Sequence, residues 1–193
     1  MLGLKLPTDP RWVNIVEQNI SDILTDHAWC EQKAASNAIS LMIRYAELTD
    51  LVDEMVKISQ EEILHFGMVH DKIKERGFEL GRDQKDPYVH DLLSFIRKGG
   101  SYSQILVDRL LFAAMIEARS CERFRILSIN IDDEDLKSFY HELMISEASH
   151  YTTFIGFARQ YGKGVDVDKR WEEFLEYEAE IIQNYGKSET IHG

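Results

Sequence analysis

Glu62 and His65 stand three residues apart in the stretch QEEILHFGMV, Gln60 to Val69, at positions a helix would usually give to apolar side chains. Leu51, Met55, Ile58, Glu62, His65 and Val69 follow one another at alternating steps of four and three, which is the spacing of a buried helical stripe. Burying an unpartnered carboxylate costs several kcal/mol, so two polar groups on that stripe need something to neutralise them. A single pair of this kind is also what a hydrogen-bonded core histidine looks like.

The pair is repeated. In SEASHYTTF, Glu147 and His150 have the same spacing on the stripe Leu136, Tyr140, Leu143, Glu147, His150, Phe154, Phe157. Two further stripes each carry one acid. Glu31 lies in phase with Ile20, Ile23, His27, Ala34, Ala38, Leu41 and Tyr45, and Glu117 lies in phase with Leu106, Leu110, Ala113, Ser120, Phe124 and Leu127. Four carboxylates and two imidazoles in the order Glu, Glu-x-x-His, Glu, Glu-x-x-His are the donor set of a dinuclear metal centre built inside four helices. The metal candidates are therefore Glu31, Glu62, His65, Glu117, Glu147 and His150. Glu61 is a neighbour in sequence but lies off the stripe, and is expected to be dispensable.

The elements that would position these six follow from their separations. Glu31 and Glu62 are 31 residues apart and Glu117 and Glu147 are 30 apart, the length of chain needed to run out along one helix, turn and return along the next. The gap of 55 between Glu62 and Glu117 leaves room for a long crossover. Turn and breaker residues in RGFELGRDQKDPY and RKGGSYS mark its ends, with a short helix expected over Tyr88 to Ile96. The expected fold class is all-α: a ferritin-like four-helix bundle with one long crossover and additional short or C-terminal helices. A single domain over 1–193 is expected, with core helices at about 18–46, 50–76, 102–128 and 133–161, a crossover at about 77–101 and a C-terminal helix at about 168–185.

Composition narrows the class further. Three prolines and little alternating β-branched sequence favour helices throughout. No stretch approaches the roughly 18 consecutive apolar residues that span a bilayer, and no apolar leader follows Met1, so a cytoplasmic protein is expected. Cys30 and Cys121 suit a reducing compartment and are read as small buried hydrophobes. The net charge of −12 speaks against a general nucleic-acid binder. The charge is uneven, however: residues 97–125 hold six bases against three acids, and residues 166–193 hold eight acids against three bases. One face could therefore approach phosphate.

An oxygen-rich donor set with only two histidines suits iron or manganese and is a poor structural zinc site. Two ferrous ions so held could hydroxylate or desaturate a C–H bond, dispose of peroxide or simply oxidise iron, and the ligands do not choose among these. Iron handling of the ferritin kind and peroxide reduction are the competing readings. No four-cysteine rubredoxin module accompanies the chain, which weakens the second.

DHAWCEQKAASNA (Asp26 to Ala38), DRLLFAAMIEARSCERF (Asp108 to Phe124) and FYHELMISEASHY (Phe139 to Tyr151) carry a resemblance to a known family. Over about Pro7 to Phe157 the chain resembles the tRNA-(2-methylthio-N6-isopentenyladenosine) hydroxylases of the MiaE type. The resemblance implies a non-haem di-iron monooxygenase acting on the isopentenyl side chain of a hypermodified adenosine in the tRNA anticodon loop. It implies two iron ions, O2 as co-substrate, an external electron-transfer protein or reductase, and the same six ligands; a monomer or small homo-oligomer is expected. A splayed prenylated base would need an apolar channel with basic residues at its mouth. Phe112, Phe124, Met115 and Phe154 are candidates for the lining, and Arg97, Lys98, Arg119 and Arg123 for phosphate contacts. Each aromatic is also an ordinary core residue, and Arg119 or Arg123 could instead neutralise acids around the centre. Tyr45, Tyr140 and Tyr151 are read as packing residues.

Overall fold

The computed structural model describes residues 2–183 and 190–192, and within them every regular element is a helix. In chain order these are α1 Trp12–Gln18, α2 Ile20–Arg44, α3 Thr49–Glu75, α4 Pro87–Ser94, α5 Tyr102–Asn130, α6 Glu134–Tyr161 and α7 Val167–Ile182. The last two residues of the expected C-terminal helix, 184 and 185, lie outside the described residues.

Local chemistry sets several of the ends. Ser101 and Gln104 form a reciprocal capping box at the start of α5, satisfying amide groups that have no partner within the helix. Asp86, Asp133 and Asp166 cap α4, α6 and α7 through their side-chain oxygens, and Pro87 opens α4, where its missing N–H costs nothing. The end of α3 is set by Gly77. Its φ of 72° is the left-handed conformation, which lets the Gly77 amide reach Lys74 O at 2.9 Å and the Phe78 amide reach Ile73 O at 3.0 Å. At Gly162, closing α6, a Cβ would stand 2.5 Å from Val167 Cγ2 and 2.6 Å from Ala158 O, so only glycine fits.

The chain falls into two compact units. One is built on Gln18–Lys85, where α2 and α3 pack against each other as an antiparallel pair joined by a short turn. Its inner stripe includes Ile23, Leu24, Ala28, Ala38, Leu51, Met55, Ile58 and Val69, all buried. The other unit takes the N-terminal stretch through Glu17 and the chain from Asp86, with α5 packed against α6, α7 and α4. That is why α5 is buried on several sides along its length, with Leu106, Leu110, Leu111, Ala114, Met115 and Leu127 among its enclosed residues.

A buried polar framework ties the second unit together. Arg170 of α7 grips Asp108 of α5 through two hydrogen bonds, Nε to Oδ1 and Nη2 to Oδ2, both at 2.9 Å, and also donates to Phe95 O at 2.9 Å. Its guanidinium lies over the rings of Phe95 and Phe174. Paired forks of this kind are among the strongest polar contacts a protein makes, and this one fixes the end of the crossover against α5 and α7.

Candidate metal centre

In the α2–α3 unit, Glu31, Glu62 and His65 each bring one potential ligand atom to within 4.8 Å of the others. The helical phase explains the grouping, since Glu62 and His65 are one turn apart on α3 and Glu31 faces them from α2. All three are buried, Glu62 completely. His65 Nδ1 lies 3.4 Å from Glu62 Oε2 and 3.7 Å from Glu31 Oε2. Behind this group, His27 Nε2 stands 2.6 Å from Glu31 Oε1. The sequence placed His27 on the same stripe, four residues before Glu31, without giving it a role; that spacing was the signal for it. Glu61 is exposed and lies outside the group.

In the α5–α6 unit, Glu117, Glu147 and His150 repeat the arrangement, again with one ligand atom each within 4.8 Å of the others. All three are buried. Each unit therefore presents two carboxylates and one imidazole from two adjacent helices.

The electrostatics of the α2–α3 group favour a cation. Burial alone would lower the pKa of His65, but Glu31 and Glu62 outweigh it and push the imidazole up to about 10. Burial alone would raise Glu31, but the hydrogen bond from His27 and the nearby His65 more than reverse this and hold its carboxyl below the usual range. The two acids thus call for positive charge beside them. In the other unit the Cys121 thiol is pushed up to about 12, first by burial and then by the negative charge of Glu147 and Glu122. Carboxylates with imidazoles, and no thiolate within either triplet, form a hard donor set that fits iron or manganese better than zinc.

The residues expected to meet phosphate are placed differently from one another. Lys98 is exposed, and Arg97 is partly exposed with its guanidinium 3.2 Å from Asp108 Oδ1. Arg119 and Arg123 are corrected: both are fully enclosed and held inside the unit, so neither stands at a channel mouth. Arg119 binds Glu178, Glu122, Thr8 and the Leu6 carbonyl. Arg123 donates to Thr8 Oγ1 at 3.4 Å and lies over the Trp12 ring. Four of their partners, Leu6, Thr8, Trp12 and Glu178, come from distant parts of the chain, which helical phase on α5 cannot show. Phe112, Met115, Phe124 and Phe154 are all buried, with Phe124 packed on Tyr140 at a centroid distance of 5.3 Å. Tyr45 is buried, and Tyr151 packs against Trp171. Both cysteines are buried and neither forms a disulfide.

The family described as tRNA-(MS[2]IO[6]A)-hydroxylase (MiaE) matches residues 2–193. The chain belongs to the MiaE family. A tRNA 2-(methylsulfanyl)-N(6)-isopentenyladenosine(37) hydroxylase of Pseudomonas putida is 36% identical, with 98% of this chain and 91% of the relative covered. An enzyme of the same name from Salmonella typhimurium is 29% identical over 98% of this chain and 87% of its own length. Among solved structures, "Protein 43 with aldehyde deformylating oxygenase activity from Synechococcus" superposes with a TM-score of 0.90 at 32% identity, covering 98% of this chain and 95% of that one. As a MiaE-family member the chain is an enzyme, a tRNA hydroxylase, with the all-α, ferritin-like fold expected from its stripes. Among the described residues no helix is long and apolar enough to cross a membrane.

Proposed function

We propose that Glu31, Glu62 and His65 join Glu117, Glu147 and His150 to hold two iron ions, and that this centre hydroxylates the isopentenyl side chain of a hypermodified adenosine in the tRNA anticodon loop. The observation that carries the reading is the repeated triplet of two buried carboxylates and one buried imidazole, each within 4.8 Å, in a chain of the MiaE family. When bound, the iron pair would supply the activation of O2 that inserts one oxygen atom into a C–H bond.

The chain's own residues do the rest. Glu62 and Glu147 each share a helix face with a histidine one turn on, so each α3 or α6 ligand pair is fixed by backbone geometry before any ion arrives. His27 holds one oxygen of Glu31 and leaves the other toward His65. The buried side chains of Phe112, Met115, Phe124 and Phe154 give the α5–α6 unit an apolar interior suited to a prenyl group, and Lys98 and Arg97 offer charge for phosphate. Electrons come from a separate electron-transfer protein or reductase, since the chain has no nucleotide-binding fingerprint and too few cysteines for an iron–sulfur centre. Family membership sets this reading above iron storage and peroxide reduction.

Mass spectrometry of tRNA nucleosides from a strain lacking the gene tests the proposal. Loss of the hydroxylated prenyl-adenosine, restored by the wild-type gene and not by a Glu62→Gln, Glu147→Gln copy, is the expected result. An unchanged nucleoside profile overturns it. Incubating the iron-loaded protein with a fatty aldehyde, after the activity named for the Synechococcus structure, serves as the specificity control.

A further inference from the structure

His192 is a buried titratable residue that the site described above does not use. It is 3% exposed, although it lies at the end of the described chain. Both of its ring nitrogens are engaged inside the α4–α7 unit: Nδ1 lies 3.2 Å from Asp86 Oδ2 and Nε2 lies 3.1 Å from Ser120 Oγ. The ring is held flat against Tyr88, with centroids 6.0 Å apart and planes 13° apart. Asp86 is fixed in turn, since its other oxygen accepts from the Val89 amide at 3.0 Å as the cap of α4. The result is a continuous carboxylate–imidazole–hydroxyl chain whose members come from three separate stretches of sequence.

The two ends of this chain differ. The Asp86 side chain is only 7% exposed, but it lies at the edge of the unit, between the exposed residues Lys85 and Pro87. Ser120 is buried and lies three residues after Glu117 on the inner stripe of α5. Side chains three apart on a helix are neighbours, with Cβ atoms about 5–6 Å apart, a gap one water can close. The chain therefore runs from the surface edge of the unit to the face that carries a candidate ligand.

The geometry points to Asp86–His192–Ser120 as a proton relay serving the hydroxylation. This rests on the di-iron reading above. Hydroxylation by O2 breaks a C–H bond and the O–O bond, puts one oxygen into the new C–OH group and releases the other as water. It consumes two electrons, from the external electron-transfer protein, and two protons, from solvent. A buried site needs a route for those protons. An imidazole suits the task because it can accept a proton at one nitrogen while releasing another from the second. In the relay, His192 Nε2 gives its proton to Ser120 Oγ as the serine hydroxyl proton moves inward. Nδ1 is recharged from the Asp86 side, and a turnover of the ring restores the starting tautomer for the next proton. Tyr88 acts as a positioning residue that holds the ring between its partners, Asp86 and Ser120.

His192→Ala, Ser120→Ala and Asp86→Asn in the full chain test the relay with two independent readouts. The first is 15N NMR of the His192 ring in the metal-free protein. Both nitrogens should show hydrogen-bonded shifts, with the Nε2 signal changed by Ser120→Ala and the Nδ1 signal changed by Asp86→Asn. A ring with the shifts of a solvent-exposed histidine overturns the relay whatever the iron chemistry proves to be. The second is turnover of the iron-loaded protein. His192→Ala should keep its iron content while losing at least about tenfold in product formed per unit time, the low end of what a positioned proton-transfer group contributes. Added imidazole should restore part of that rate without accelerating the wild type. Unchanged turnover, or a loss accompanied by lost iron and not rescued by imidazole, shows a structural strap instead. If the wild-type protein itself binds iron and forms no hydroxylated product, the di-iron reading fails while the NMR arm still decides the hydrogen-bonded chain.

Discussion

Arg119 donates two hydrogen bonds to one oxygen of Glu178, from Nε at 2.9 Å and from Nη2 at 2.6 Å, with both side chains fully enclosed. The same guanidinium reaches Glu122 Oε2 at 3.0 Å, and Glu122 accepts from the amide and hydroxyl of Thr8 at 2.9 and 2.7 Å. The N-terminal stretch, α5 and α7 are thus fastened through one cation, and Tyr88 adds its hydroxyl to Glu178 at 3.1 Å.

Removing one partner of a buried ion pair strands the other, at about 3–5 kcal/mol. Arg119→Ala should therefore lower the thermal midpoint by many degrees, while the salt dependence of tRNA binding by the remaining folded protein stays as in the wild type. A phosphate contact would behave the other way. Its loss would reduce the log–log salt slope by about one and leave the melting temperature nearly unchanged. Lys98→Ala is expected to show that second pattern.

For the histidines, His65→Ala and His150→Ala are each expected to lower iron content and the melting temperature of the iron-loaded protein together, because one imidazole leaves and nearby carboxylates lose part of their compensation. Were the histidines packing residues alone, the truncation would cost a few kcal/mol of cavity energy and leave iron untouched. Iron per chain measured beside the melting curve separates these, and an iron-replete His150→Ala protein defeats the proposed centre.

Neighbouring acids give a sharper contrast. Glu61→Gln should change stability by no more than about 0.5 kcal/mol, as expected for an exposed position, and should leave iron loading unchanged. Glu62→Gln, one residue on, should abolish loading at one position. Equal effects at both would show that helical phase does not select the ligands.

With its thiol pushed up to about 12 by burial and by the charges of Glu147 and Glu122, Cys121 is almost wholly protonated at pH 8. Iodoacetamide at that pH should leave it unmodified in the native protein and label it only after denaturation, read by peptide mass spectrometry. Rapid native alkylation of Cys121 would contradict the enclosed environment.

Much of this was legible in the chain itself because helical periodicity is a local property. Steps of three and four put Glu31, Glu62, His65, Glu117, Glu147 and His150 on inward stripes, and their separations of 31, 55 and 30 imply two hairpins and a crossover. Capping residues such as Ser101, Asp133 and Gly77 are equally local, since each acts within its own turn of backbone.

Only tertiary structure decided the rest. On α5 a single stripe predicts one buried face, but α4, α6 and α7 pack around it, so Asp108, Arg119 and Arg123 are enclosed where the sequence suggested a basic surface. Their partners lie far along the chain: Arg170 is 62 residues from Asp108, and Glu178 is 59 from Arg119. His192 reaches Ser120 across 72 residues. No periodicity encodes such pairs, because the free energy that selects them comes from desolvating both members at once, and that happens only when distant segments are brought together.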